Sequence, residues 1–289
     1  LQDGAELGGE VALDRKLAEE SLRRVGDAAS MDVEDTALGV LQVANTEMVR
    51  ALRVISVEKG LDPREFALVA FGGAGPLHAC ALAEELGMTT VLVPRASGVL
   101  SALGLAVSDV RRDYVAPLLS SLDGVKQSRL EDAFEEMEQT AAGHLGEPAY
   151  TRRADLRYAG QSFELTVEAE DLDALEDGFH GIHERRYGYR MDEETVELVN
   201  LRLIATLPVD KPELDEREPE GDAETGRREV NFDGDWVEAP VLDREKMGKG
   251  SEVEGPAVVE FAESTCVVRP GWGGKIDGVG TLILERGDE

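Results

Sequence analysis

The run Phe66-Ala-Leu-Val-Ala-Phe-Gly-Gly-Ala-Gly-Pro-Leu-His-Ala-Cys-Ala-Leu sets an apolar stretch ahead of a glycine turn and a small-residue stretch behind it. Read as strand, turn and helix, it offers free N–H groups and the positive end of a helix to a phosphate or a sugar. Gly72, Gly73 and Gly75 keep side chains out of that approach, and Ala74 completes the turn. On the residues alone, a tight structural turn accounts for the run as well as a nucleotide site does. His78 falls in the first turn of the helix, where an imidazole can touch a ligand or hold a local partner. Asn45 lies on an apolar helical stripe, a place for a hydrogen-bonded core asparagine as well as for a ligand contact.

Other combinations carry less. His180 and His183, with Glu176 and Glu184, have helical chelating spacings, but a solvated acidic helix face explains them better, so no metal site is expected. Gly248-Lys-Gly-Ser looks like the end of a phosphate loop, yet position 243 is Asp where the earlier glycine is required. There is no Gly-x-Ser-x-Gly, and Cys80 and Cys266 have no legible histidine partner, so no catalytic residue is assigned.

The elements that must position the turn follow from periodicity. Gly8 and Gly9 punctuate the start, and Leu13, Leu17, Ala18, Leu22 and Val25 recur at helical spacing. Asp32 is placed to N-cap a longer helix bearing Leu38, Leu41, Met48, Leu52 and Ile55, which Gly60 stops. Then come a strand at 66–71, a helix at 77–86 ending at Gly87, a strand at 90–93 and a small apolar helix at 97–107 expected to be buried. This alternation is the grammar of an α/β layer. Beyond a segment at 113–119, which leads out of this layer, it changes: an acidic helix at 126–145, strands at 150–158 and 162–168, a helix at 172–187 and a strand at 196–207. Residues 208–226 read as a solvated excursion and the remainder as short strands with Gly and Pro turns. The expected domains are 1–115 and 116–289, the second β-rich.

The chain has 289 residues, enough for two domains, and its 60 acidic against 30 basic residues give a formal net charge of −30. Such a surface repels phosphate backbones and anionic lipid, which argues against nucleic acid and membrane as partners. With 23 arginines and only 7 lysines it reads as an acidic, halophilic protein that needs ions to screen its self-repulsion. Two distant cysteines suggest no disulfide framework, and with no legible signal peptide the expected compartment is the cytoplasm.

Several separated stretches carry a resemblance. Besides the glycine turn they are Asn45-Thr-Glu-Met, Val57-Glu-Lys-Gly-Leu-Asp-Pro-Arg-Glu-Phe, Ser97-Gly-Val-Leu-Ser-Ala-Leu-Gly-Leu and Asp155-Leu-Arg-Tyr-Ala-Gly-Gln-Ser-Phe-Glu-Leu. Tyr187-Gly-Tyr, Glu197-Leu-Val-Asn-Leu-Arg, Gly255-Pro-Ala-Val-Val-Glu, Glu263-Ser-Thr and Pro270-Gly-Trp continue the series. In this order they resemble the hydantoinase A / 5-oxoprolinase family, ATP-dependent enzymes of the actin-like ATPase superfamily.

The resemblance implies an α/β plus α+β fold: the second half of an actin-like (ribonuclease H-like) ATPase domain followed by a β-rich C-terminal domain. It implies that Gly72, Gly73, Ala74 and Gly75 support the adenosine and α-phosphate end of ATP. It further implies that the Mg2+ and γ-phosphate ligands lie in a preceding domain, so that this chain alone is not expected to hydrolyse ATP. The implied activity is hydrolysis of a small cyclic amide through carbonyl phosphorylation, with a hydantoinase B-type subunit as partner in a hetero-oligomer. A carboxylase subunit of the acetone or acetophenone type, or a non-catalytic assembly module, are the alternatives.

Overall fold

The computed structural model describes residues 6–7, 11–169, 171–211 and 218–287. The punctuation expected at Gly8 and Gly9, and the middle of the 208–226 excursion, lie outside the described residues. The elements begin with β1 (Glu6–Leu7), β2 (Val11–Ala12), α1 (Arg15–Ala29), α2 (Val33–Ile55), β3 (Leu68–Val69), α3 (Gly75–Leu86), β4 (Thr90–Val93) and α4 (Leu100–Val107). There follow β5 (Val110–Ser121), α5 (Gln127–Leu145), β6 (Ala149–Tyr158), β7 (Leu165–Glu168), α6 (Leu172–Tyr187) and β8 (Val196–Leu207). The chain closes with β9 (Glu224–Phe232), β10 (Asp235–Asp243), β11 (Glu252–Glu254), β12 (Ala257–Glu260), β13 (Thr265–Val268), β14 (Trp272–Ile276) and β15 (Leu282–Arg286).

Two compact units result, one from Leu1–Leu105 with Glu213–Glu289 and one from Ala106–Pro212. This departs from the expected 1–115 and 116–289 division. The reason is pairing that sequence order does not reveal: β15 lies antiparallel to β4, Leu282 opposite Val93 and Leu284 opposite Val91. The C-terminal strands thereby complete the sheet to which the glycine-turn segment belongs, in the order β11-β14-β15-β4-β3.

In the first unit, Val91, Val93, Leu282 and Leu284 are wholly buried, and α3 lies against them with Ala79, Cys80 and Ala83. Small residues at those positions let helix and sheet backbones approach closely. β3 runs parallel to β4 and is shorter than the expected strand at 66–71, because its pairing is confined to Leu68 with Val91 and Val69 with Leu92. A second sheet, β13-β12-β10-β9, mixes parallel and antiparallel pairs. Asp32 does cap α2, accepting from the Asp35 N–H at 2.8 Å.

The expectation of a buried helix at 97–107 is corrected. None of the residues of α4 is buried, and Leu105 is 80% exposed. Its composition is apolar all round, so periodicity could not tell a covered helix from an uncovered one.

The second unit is a four-stranded antiparallel sheet, β5-β8-β6-β7, with α5 and α6 on one face. Leu130, Phe134, Leu175, Phe179, Leu201 and Leu203 are fully buried between helices and sheet. Each such side chain contributes roughly 1.5–3 kcal/mol by leaving water. The opposite sheet face carries Asp155, Thr166, Asn200 and Arg202 together with the exposed Val115. No helix among the described residues is long and apolar enough to cross a membrane.

Candidate functional site

β3 feeds the turn directly. Gly72 takes φ +84°, a backbone region that side chains disfavour, and its N–H donates to the Ser97 carbonyl at 2.7 Å. Ala74 occupies the N-cap position of α3 without a capping side chain, and Pro76 sits in the first turn. Among the described residues, the N–H groups of Gly73, Ala74 and Gly75 have no acceptor. Three consecutive unpaired amides at the start of a 12-residue helix offer N–H donors and the positive end of the helix to an anion.

Two further loops of the same unit close on this turn. Ser97 Oγ and Ser264 Oγ are 2.9 Å apart and buried, which ties the start of the 97–99 turn to the loop between β12 and β13. A Cβ on Gly73 would stand 3.6 Å from the Glu263 carbonyl oxygen. One on Gly98 would stand 2.4 Å from the Glu263 Cβ, so only glycine fits there. Ser97, Gly98, Glu263 and Ser264 therefore belong to the rim of the turn. They lay inside stretches that were legible as motifs, but only long-range packing brings positions some 167 residues apart together.

Asn45 and His78 turn out to be each other's partner. The His78 Nδ1–H donates to Asn45 Oδ1 at 2.7 Å, linking α2 to α3 just behind the turn. That bond fixes the tautomer and leaves Nε2 with a free lone pair. Burial holds His78 below the ordinary imidazole range, so the ring is neutral at pH 7. Alongside, an open cleft of about 740 Å³ takes in Asn45, Arg50, Arg53, Glu84, Asp233 and Arg269. Within it Glu84 accepts from Trp272 Nε1–H at 2.7 Å and pairs with Arg269, which also binds Asp233.

The histidines of α6 do not lie on a solvated face. His180 is 5% exposed and His183 fully buried. His180 Nδ1 and the Tyr158 hydroxyl are 2.6 Å apart, and His183 Nδ1–H donates to the Tyr189 carbonyl at 2.8 Å. Tyr158, Phe179, Tyr187 and Tyr189 surround His183 with ring centroids 4.8–5.8 Å away. Spacing alone could not separate these readings, because the helix's buried face had to be seen. Among the described residues no three His, Cys, Asp or Glu side chains are placed to hold a metal ion. On the sheet face of this unit away from its helices, Asp155 accepts from Thr166 Oγ1 at 2.7 Å, Asn200 Nδ2 at 3.1 Å and Arg202 Nε at 2.6 Å.

Comparison with known proteins supplies the context. The sequence profile of the hydantoinase/oxoprolinase family matches residues 4–114, and that of the hydantoinase/oxoprolinase C-terminal domain matches residues 126–286. The chain is 32% identical to caprolactamase subunit alpha of Pseudomonas jessenii over 99% of its own length and 45% of that protein's. It is 31% identical to 5-oxoprolinase 1 of Arabidopsis thaliana over 96% of its length and 23% of that protein's. In structure it is similar to nucleotide-free acetone carboxylase, with a TM-score of 0.85 at 26% identity, covering 99% of this chain and 45% of that one. The chain thus spans less than half the length of these relatives. With the two profiles together running from residue 4 to residue 286, the chain belongs to the hydantoinase/oxoprolinase family.

Proposed function

We propose that this chain is the C-terminal portion of the ATP-dependent catalytic subunit of a cyclic amide hydrolase. The observation that carries the reading is the row of free amides on Gly73, Ala74 and Gly75 behind the positive-φ Gly72. They are suited to receive the α-phosphate end of ATP, in what we take to be the second half of an actin-like ATPase domain. A cyclic amide is a poor electrophile because its nitrogen shares its lone pair with the carbonyl. Transfer of the γ-phosphoryl group to the carbonyl oxygen makes the carbon electrophilic; water adds to it, the ring C–N bond breaks as the nitrogen takes a proton, and the resulting acyl phosphate is hydrolysed to carboxylate and phosphate. In this division of labour the present residues bind and orient the nucleotide. The ring-opening groups are assigned to a hydantoinase B-type partner in a hetero-oligomer of the cytoplasm.

No Mg2+ ligand is assigned to this chain, since the described residues offer no cluster of acidic groups around one point. A second reading, an ATP-dependent carboxylase subunit, is supported by the TM-score of 0.85 to acetone carboxylase at 26% identity, while the Pseudomonas jessenii caprolactamase stands at 0.73 with 31% identity. The two readings share the nucleotide turn and differ in what attacks the activated substrate.

Gly73→Ala in the intact subunit tests the shared part. Its new methyl meets nothing closer than 3.6 Å in the fold, so the protein keeps its melting temperature. The same methyl stands where backbone would meet ligand, and ATP binding measured by calorimetry weakens at least about tenfold, or about 1.4 kcal/mol. Unchanged ATP affinity in a normally folded Gly73→Ala protein would make the turn purely structural.

A further inference from the structure

The sheet of the second unit ends on a strand whose outer side is open. β7 pairs with β6, Val167 opposite Ala154 and Leu165 opposite Leu156. The Ala169 N–H donates to the Arg152 carbonyl at 3.0 Å. Hydrogen bonding alternates along an antiparallel pair, so Val167 and Leu165 turn their backbone groups toward β6 while Thr166 and Glu168 turn theirs away. Among the described residues no strand lies on that side, because β7 is the last in the order β5-β8-β6-β7. A groove of about 700 Å³ runs there, bounded by Thr166 and Glu168 of β7 and by Ala174, Gly178 and Gly181 of α6. A Cβ on Gly178 would meet nothing within 4 Å, and one on Gly181 only the far end of Arg185 at 3.5 Å. Two glycines inside a helix weaken it, and packing within the described part of the chain gives no reason for either.

An open edge flanked by a groove is a template for strand addition, and the charges along the groove say which strand fits. The helix α6 runs back along β7, so that Tyr187 returns to Phe163 with ring centroids 5.5 Å apart. Glu168 and Asp171 therefore stand at one end of the groove and Arg185 at the other. A two-fold axis through Val167, normal to the sheet, sets a second β7 antiparallel beside the first. The N–H and carbonyl of Thr166 then meet the carbonyl and N–H of Glu168 in the copy, and the reverse. The same operation lays the acidic end of each groove against the Arg185 end of the other, and places the two α6 helices side by side. Strands stand about 4.8 Å apart whereas packed helices ordinarily stand about 8–10 Å apart, so small residues at Ala174, Gly178 and Gly181 let both layers close at once. We infer that this edge binds a second copy of the chain, joining the two four-stranded sheets into one. With a net charge of −30 the copies repel at long range, so the pair is favoured where salt shortens the screening length. The inference is independent of the nucleotide reading.

The test is the mass of the intact subunit in solution, measured by sedimentation equilibrium in about 1 M KCl, where the screening length is about 3 Å. Wild type is compared with Gly178→Leu and Glu168→Pro. Gly178 is exposed and leucine favours a helix, so Gly178→Leu keeps the fold while filling the helix-to-helix contact. Glu168→Pro deletes one outward N–H and leaves the bonds of Val167 and Ala169 to β6 in place, as an edge strand tolerates. Wild type is expected to form a dimer at micromolar concentration, and each variant to weaken it at least about tenfold with an unchanged circular dichroism spectrum. A wild type that stays monomeric at about 0.1 mM overturns the inference. So does a folded Gly178→Leu protein that dimerises as tightly as wild type, whatever Glu168→Pro does to the fold.

Discussion

Replacing Asp155 probes whether the sheet face of the second unit away from its helices is held by hydrogen bonds or by charge. The carboxylate is 3% exposed and accepts from Thr166, Asn200 and Arg202. The Arg202 side chain is 45% exposed, so its ion pair is screened and contributes about 1 kcal/mol or less. Asp155→Asn removes only that contribution. The new amide oxygen can go on accepting from Asn200 and Arg202, and the Thr166 hydroxyl can rotate to accept from the new N–H. Asp155→Ala in addition strands the Thr166 and Asn200 donors, at about 1 kcal/mol each where water reaches them in part. The totals are about 1 kcal/mol for Asn and about 2–3 kcal/mol for Ala. For a domain of about 100 residues, at roughly 4 °C per kcal/mol, they become losses of about 4 °C and 8–12 °C. Thermal melts followed by circular dichroism read the difference. Equal losses for the two variants, or a loss under about 2 °C for Asp155→Ala, would refute the hydrogen-bond argument.

Three other outcomes follow from burial, the α2–α3 link and the net charge. Burial pushes the Cys80 thiol up to about 12 and raises Cys266 as well, so a thiol reagent at pH 8 should label neither until the protein is denatured, and rapid native labelling would contradict their burial. His78 is lowered by burial, so the folded state favours the neutral ring. Its contribution is present above the unfolded value near 6.5 and is lost as pH falls through the folded one. Asn45→Asp places a carboxylate on its Nδ1 and should raise the titration midpoint of His78, followed by its ring proton resonances, by about one unit or more; an unmoved midpoint would contradict the α2–α3 link. With a net charge of −30, the melting temperature should climb as KCl rises from about 0.01 M to 1 M and the screening length falls from about 30 to 3 Å. A flat profile would show that the acidic composition is not a salt adaptation.

Local signals were legible in the sequence wherever local physics decides. The Asp32 cap, the Gly87 stop at φ +70° and the strand from Thr90 to Val93 all follow from residue types within a few positions. What was not legible depends on distance along the chain. The pairing of β15 with β4 joins segments nearly 200 residues apart and moves the C-terminal strands into the first unit. The exposure of α4 follows from what lies beside it rather than from its own apolar residues. Within the site, Gly72 to Gly75 and the pair Asn45 and His78 could be singled out by type and spacing. Their bond to each other, and the arrival of Glu263 and Ser264 at Gly73 and Ser97, required the fold. The buried state of His180 and His183 is the same lesson on a helix, since four residues at chelating intervals look alike from either face.

The central claim is that the amides of Gly73, Ala74 and Gly75 receive the phosphate end of ATP, and their hydrogen exchange reads it most directly. In the intact subunit these N–H groups, free of protein acceptors among the described residues, should exchange fast without nucleotide and become protected when ATP is added at saturation. Exchange measured by mass spectrometry on peptides spanning residues 70–78, with and without ATP, separates this segment from the rest. Protection confined to this peptide and the 97–99 and 263–265 loops is the predicted result. Saturable ATP binding that leaves these three amides exchanging as before would contradict the account.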